Sequence, residues 1–119
     1  MMKTDVIMDE FSAALSNYAN HLCEDYRSWM KRTCSMEQVS DEELAKRYTV
    51  RFEEGKKFIR VVHSNGVQRS SHTFIVLKDD AKFQRGDILK SASWASPAKN
   101  FARGNILRGD WSNVRWTGV

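Results

Sequence analysis

The spacing of apolar side chains along residues 5–31 is that of an amphipathic helix. Apolar residues recur every three or four positions, which places them on one face of a helix with 3.6 residues per turn. These residues are Ile7, Phe11, Ala14, Leu15, Tyr18, Leu22, Tyr26, Trp29 and Met30. Such a helix is about 40 Å long, so we expect it either to lie across a whole sheet or to pair with a second copy of itself.

From Tyr48 onward the apolar pattern changes to a period of two, which is typical of half-buried strands. The predicted strands cover residues 48–53, 57–63, 68–78 and 87–90. Asn65-Gly66 predicts the hairpin turn between the second and third of them. Ahead of the strands, Ser40 followed three residues later by Glu43 predicts a capped short helix over residues 41–47.

Length and pattern together predict one α+β domain over residues 1–119. We expect a long helix packed on an antiparallel meander of four to six strands. Residues 1–46 would form the helical part and residues 47–119 the β-rich part. Residues 106–107 and 114–116 are expected to form short closing strands.

The composition favours a protein that acts in the cytosol. No stretch approaches the ~18 apolar residues that a membrane span requires, and the first residues do not have the pattern of a signal peptide. Cys23 and Cys34 are therefore expected to be reduced thiols.

The charge is distributed unevenly, although the net charge is only +4. Residues 1–46 carry a net charge of −4, residues 47–81 of +3 and residues 82–119 of +5. A basic second half favours an anionic partner. Alternatively, the two halves complement each other within the fold.

The segment 86–106 holds the densest set of candidate binding residues. Pro97 suits the first turn of a short helix over residues 98–102, with Ser96 as its N-cap. Free N–H groups at the start of such a helix, with hydroxyls and cations nearby, predict an anion site. The candidate ligand-binding residues are Lys90, Ser91, Ser93, Trp94, Ser96, Lys99, Arg103 and Asn105.

These residue types suit a nucleotide or a similar phosphorylated ligand. Trp94 would stack on the base, an interaction worth about 1–3 kcal/mol. Arg103 would hold a phosphate bidentately, helped by Ser93 and by Lys90 and Lys99 as point charges. The alternative is that Trp94 is a core residue and that the serines and cations form a solvated loop. No nucleotide-binding motif such as a Walker sequence is present.

Two other sets of residues give weaker signals. His63 and His72 flank the hairpin turn, and with Asp87 they could form a metal or acid–base site, although ordinary strand surface is the favoured interpretation.

No catalytic motif stands out, so we expect a non-enzymatic protein without a metal or cofactor.

A basic sheet face is the second possibility for ligand binding. Its members would be Arg51, Lys57, Arg60 and Arg69, with Phe58 beside them. Cations and an aromatic ring on an open sheet suit single-stranded nucleic acid. The alternative is a solvated strand face.

Three stretches also carry a family resemblance: KFIRVV at residues 57–62, SHTFI at 71–75, and GDILK, ASWASPAK and RGNI within 86–106. They resemble a family of small, mostly uncharacterised tailed-phage accessory proteins. The resemblance implies a setting in the cytoplasm of a bacterial host. It favours a protein that sequesters a nucleotide signal of bacterial immunity, with a nucleic-acid-binding protein as the first alternative. An inhibitor of a host enzyme that uses the acidic helix is the second, and a homo-oligomer through that helix is expected.

Overall fold

Helix α1, Met2–Thr33, is the longest element of the fold. The structure, a computed structural model, describes residues 2–33, 38–66 and 68–119, and side chains of α1 from Glu10 onward. The predicted apolar stripe packs inward: its buried members are Phe11, Ala14, Tyr18, Leu22 and Tyr26. Trp29 remains 37% exposed. Ile7 and Cys34, which the sequence analysis singled out, lie outside the described side chains.

Helix α2, Asp41–Arg47, confirms the predicted short helix. The Oγ of Ser40 accepts a hydrogen bond of 3.1 Å from the backbone N–H of Glu43, as expected of an N-cap. Leu44 is buried against the core around α1. Within the described ranges, neither helix is both long and apolar enough to cross a membrane.

A five-stranded antiparallel sheet, with its strands in chain order, follows α2 and confirms the α+β class. Its strands are β1 (Thr49–Glu54), β2 (Phe58–Ser64), β3 (Arg69–Val76), β4 (Asp87–Lys90) and β5 (Gly104–Asn105). The first four strands match the predicted meander. The register of β2 on β3 shifts between Val61 and Val62.

The sheet buries apolar side chains on both faces. On the face that packs against α1, here called the helix-side face, the buried strand residues are Ile59, Val61, Ile75 and Ile88. Residues one position away in the strands point to the opposite face, where Phe74, Val76 and Leu89 form a second cluster with Phe83. Residues 91–102 lie on this second face, here called the loop-side face, with Ala102 packed against its cluster.

The predicted helix over residues 98–102 is wrong, because this stretch has no regular secondary structure and is hydrogen-bonded to β4 at both of its ends. Ser91 and Pro97 form an isolated antiparallel bridge. The N–H of Ala98 donates to the carbonyl of Lys90 at 2.7 Å, and that of Arg103 donates to Ile88 at 2.7 Å. A helix here would leave the β4 carbonyls without these donors.

The two predicted closing strands are also wrong. Residues Ile106–Arg108 form a single turn of 3₁₀ helix that ends at Gly109, whose φ is +64°. The side chain of Asn105 accepts from the N–H groups of residues 107 and 108, which caps a turn instead of extending a strand. Residues 114–116 contribute only an isolated bridge between Arg115 and Gly118.

Candidate functional site

Trp94 lies on the loop-side face with 42% of its surface exposed, so the alternative of a core tryptophan is excluded. Arg60 in β2 reaches it from the sheet. The Nε of Arg60 donates to the Trp94 carbonyl at 2.8 Å, and its Cζ lies 4.6 Å from the ring centroid. Arg69, at the start of β3, places its Cζ 5.8 Å from the same centroid. We call Trp94, Arg60 and Arg69 the Trp94 surface.

The two arginines of the Trp94 surface differ in their other contacts. Arg60 Nη1 lies 2.6 Å from Glu53 Oε1, so a carboxylate offsets its charge. Arg69 is exposed, and no carboxylate in the described part of the chain forms an ion pair with it. Arg60 therefore positions Trp94, while Arg69 is available to an anion.

The serines of the segment hold the loop together. Ser91 Oγ and Ser71 Oγ lie 2.6 Å apart and share a hydrogen bond, and both lie within hydrogen-bond distance of the Ser93 carbonyl, at 2.8 and 3.0 Å. The Oγ of Ser93 accepts from the N–H of Ser96 at 3.2 Å. Because these hydroxyls are engaged inside the loop and no helix start exists here, the predicted anion site at a helix N-terminus does not form.

Two of the predicted cations contact other aromatic rings. Lys99 Nζ lies 5.5 Å from the ring centroid of Phe58, and Arg103 Cζ lies 4.1 Å from that of Phe101. Phe101 is 55% exposed. The structure therefore places Lys99 and Arg103 at two different aromatic rings, and neither of these is the ring of Trp94.

The last two candidates, Lys90 and Asn105, have other environments. Lys90 is exposed and follows Leu89, so strand alternation directs it to the helix-side face. Asn105 is 2% exposed, and its Nδ2 donates to the Asp87 carboxylate at 2.9 Å and to the Arg85 carbonyl at 3.0 Å. These bonds give Asn105 a role in the fold, so we leave it out of the proposed site.

The structure brings His63 and His72 together, with ring centroids 5.0 Å apart. His72 is buried and lies beside Tyr18 of α1, so its interpretation as ordinary strand surface is wrong, whereas His63 is only partly buried. His72 is 4% exposed, its Nε2 bonds to the Arg115 carbonyl at 2.7 Å, and burial lowers its pKa to about 4. His63 Nδ1 bonds to the Tyr48 hydroxyl at 3.0 Å, and burial lowers its pKa as well.

The predicted third member of the metal or acid–base site, Asp87, does not join the histidine pair. The carboxylate of Asp87 accepts from Asn105 and from the N–H of Gln84 instead of meeting the histidines. In the described ranges, no group of three or more His, Cys, Asp or Glu side chains has a metal-binding arrangement. The single cysteine described, Cys23, is a free thiol whose pKa is raised by burial.

The sequence predicts Trp94 in one candidate site and the two arginines in another. Arg60 and Arg69 precede Trp94 by 34 and 25 positions, and no local spacing reports such a contact. Strand alternation is the feature of the sequence that indicates the face on which Arg60 lies, since Arg60 points away from the buried Ile59. The structure brings Trp94 and the two arginines together on the loop-side face.

Comparison with known proteins gives one match. Residues 1–118 of the chain match the model of DUF7717, a family of unknown function. Neither a curated protein nor a solved structure gives a significant match.

Proposed function

Since the chain belongs to DUF7717, a family of unknown function, we propose its function from the site: it is a non-enzymatic protein that binds a nucleotide or similar phosphorylated ligand at the Trp94 surface. One observation carries the proposal. An exposed indole has two guanidinium groups against it, with Cζ atoms 4.6 and 5.8 Å from its centroid. An indole face stacks on a base, and a guanidinium group binds phosphate through paired N–H donors.

The two arginines would have separate roles in binding. Arg60 holds the Trp94 backbone and is itself held by Glu53, so the ring is positioned before a ligand arrives. Preorganisation of this kind lowers the entropy cost of binding. Arg69, which is exposed, would supply the contact to phosphate.

Calorimetric titration with AMP, a cyclic dinucleotide and inorganic phosphate tests this proposal. We expect nucleotide affinity to fall about tenfold or more in Trp94→Ala, because one stacking contact is worth about 1–3 kcal/mol. Arg69→Ala should lower the affinity for the nucleotides and leave the fold intact. Matched controls are Trp29→Ala, which removes a tryptophan that is 37% exposed, and Arg108→Ala. Equal affinity in all four variants, or no binding by the unmodified chain, would contradict the proposal.

Single-stranded nucleic acid is the second candidate, because aromatic–cation contacts recur beyond Trp94. Arg103 lies against the exposed ring of Phe101, and Lys99 lies near the ring of Phe58. Several such rings suit a strand of stacked bases more than one nucleotide. This candidate predicts that affinity rises with oligothymidylate length and falls steeply with salt. A plateau at one nucleotide would favour the small ligand.

The biological role that we propose is sequestration of a bacterial immune nucleotide signal in the host cytoplasm. It rests on the resemblance to phage accessory proteins and on the Trp94 surface. Native mass spectrometry of the protein from signal-producing bacteria should show a co-purifying nucleotide that Trp94→Ala loses. The same spectra test the expected homo-oligomer. Turnover of the nucleotide would instead indicate an enzyme.

A further inference from the structure

A cavity of about 300 Å³ lies where the β2–β3 hairpin meets the C-terminal residues of the chain. We propose that it binds an uncharged, ring-shaped molecule with a hydrogen-bonding edge, of the chemical class of nucleosides and monosaccharides. The cavity includes His63 of the helix-side face, and none of its lining residues belongs to the Trp94 surface. The inference is thus independent of the function proposed above.

The lining of this cavity combines aromatic rings with uncharged hydrogen-bonding groups. Trp116 and Tyr48 supply the rings. The remaining polar lining is uncharged at neutral pH and consists of His63, Asn65, Gln68, Ser70 and Thr117. Except for His63, these polar side chains form no hydrogen bond to another described residue. Amides and hydroxyls without internal partners, beside aromatic faces, are the groups that fix a neutral polar ligand.

The walls of the cavity are held in place by contacts within the protein. The backbone N–H of Trp116 donates to Asp25 Oδ2 at 2.9 Å. The ring of Trp116 makes edge contacts with Tyr26 and Tyr48, at centroid distances of 5.0 and 5.6 Å. The Tyr48 hydroxyl in turn bonds to His63 Nδ1 at 3.0 Å. The aromatic wall therefore exists before a ligand arrives, which reduces the cost of binding.

The chemistry of the lining selects against ions. Among the residues that the structure describes, no Lys, Arg, Asp or Glu lines the cavity, and burial lowers the pKa of His63, which favours the neutral imidazole. A charged ligand would lose hydration without gaining a counter-charge. At about 30 Å³ per water molecule, the volume corresponds to roughly ten waters, which suits a ligand of one or two rings.

The test is an NMR titration of the full chain carrying Trp94→Ala, so that stacking at the Trp94 surface cannot contribute. The probes are adenosine and uridine in one arm and methyl glucoside and methyl galactoside in the other. We expect probes from one arm to shift the Trp116 indole and His63 imidazole signals saturably. The responding arm identifies the ligand as a base or a sugar.

The double variant Gln68→Ala/Ser70→Ala removes two exposed polar groups of the lining. It should weaken probe binding about tenfold, since each lost hydrogen bond costs about 0.5–1.5 kcal/mol. Gln38→Ala is the matched control at an exposed position outside the cavity and should bind normally. The proposal is overturned if no probe gives saturable shifts at millimolar concentration, or if the double variant binds as tightly as the control.

Discussion

The two faces of the sheet are covered in different ways, and the difference explains why an aromatic ring stays exposed on one of them. Helix α1 covers one face and satisfies its own backbone hydrogen bonds, so it can bury a continuous apolar stripe. Residues 91–103 cover the other face without regular structure. Their backbone takes its partners from β4, Ser71 and Arg60. That arrangement leaves the ring of Trp94 exposed and next to cations.

The largest effect is expected on the helix-side face. Leu22 is fully buried in the cluster between α1 and the sheet. Leu22→Ala should lower the free energy of unfolding by about 2–5 kcal/mol, because it removes buried methyl groups and leaves a cavity. Urea denaturation measures the change. Leu107→Ala, at a leucine that is 40% exposed, is the control. A similar loss in both variants would show that the helix-side face is not the main core.

The buried histidine on this face predicts a dependence of stability on pH. Burial lowers the pKa of His72 from 6.5 to about 4. Between about pH 4 and pH 6.5, the His72 imidazole is therefore protonated in the unfolded chain and neutral in the folded chain. Stability should therefore be complete above pH 6.5 and fall as the pH drops toward 4, by up to about 3 kcal/mol.

Urea midpoints measured at several pH values test this dependence. His72→Gln should flatten the curve, leaving the smaller slope that is due to His63, whose pKa is also lowered by burial. An unchanged slope in the variant would mean that other groups cause the acid sensitivity.

The helix-side face was also the more predictable of the two. Period 3.6 in α1 and period two in β1–β4 arise from local geometry, so the sequence alone revealed both. The contact of Arg60 with Trp94 joins residues 34 positions apart, and only tertiary packing specifies it. The wrong prediction of a helix after Pro97 has a related cause. The proline ring favours a first helical turn, but the backbone of this segment forms hydrogen bonds with the free edge of β4 instead.

A smaller effect is expected at the arginine that joins the sheet to the loop. Arg60→Ala removes the hydrogen bond to the Trp94 carbonyl and the ion pair with Glu53. Because both interactions are partly exposed, the free energy of unfolding should fall by about 1 kcal/mol. Arg60→Lys keeps the positive charge, but a lysine cannot bind the Trp94 carbonyl and the Glu53 carboxylate at once as the guanidinium group does. It should therefore restore little of the lost stability. Full recovery in Arg60→Lys would show that charge alone holds the loop.

The smallest effect on stability should accompany the largest effect on binding. Trp94 is 42% exposed, and Trp94→Ala retains the backbone carbonyl that accepts from Arg60 while it removes the ring contacts with Arg60 and Arg69. The free energy of unfolding should fall by about 0.5–1 kcal/mol, the value of an exposed cation–π contact, while nucleotide affinity at the Trp94 surface should fall about tenfold or more. Urea denaturation and calorimetry of the same sample separate the two quantities. A loss of stability near that of Leu22→Ala would instead show that the indole is needed to cover the loop-side face, and the two faces would then not differ as the structure indicates.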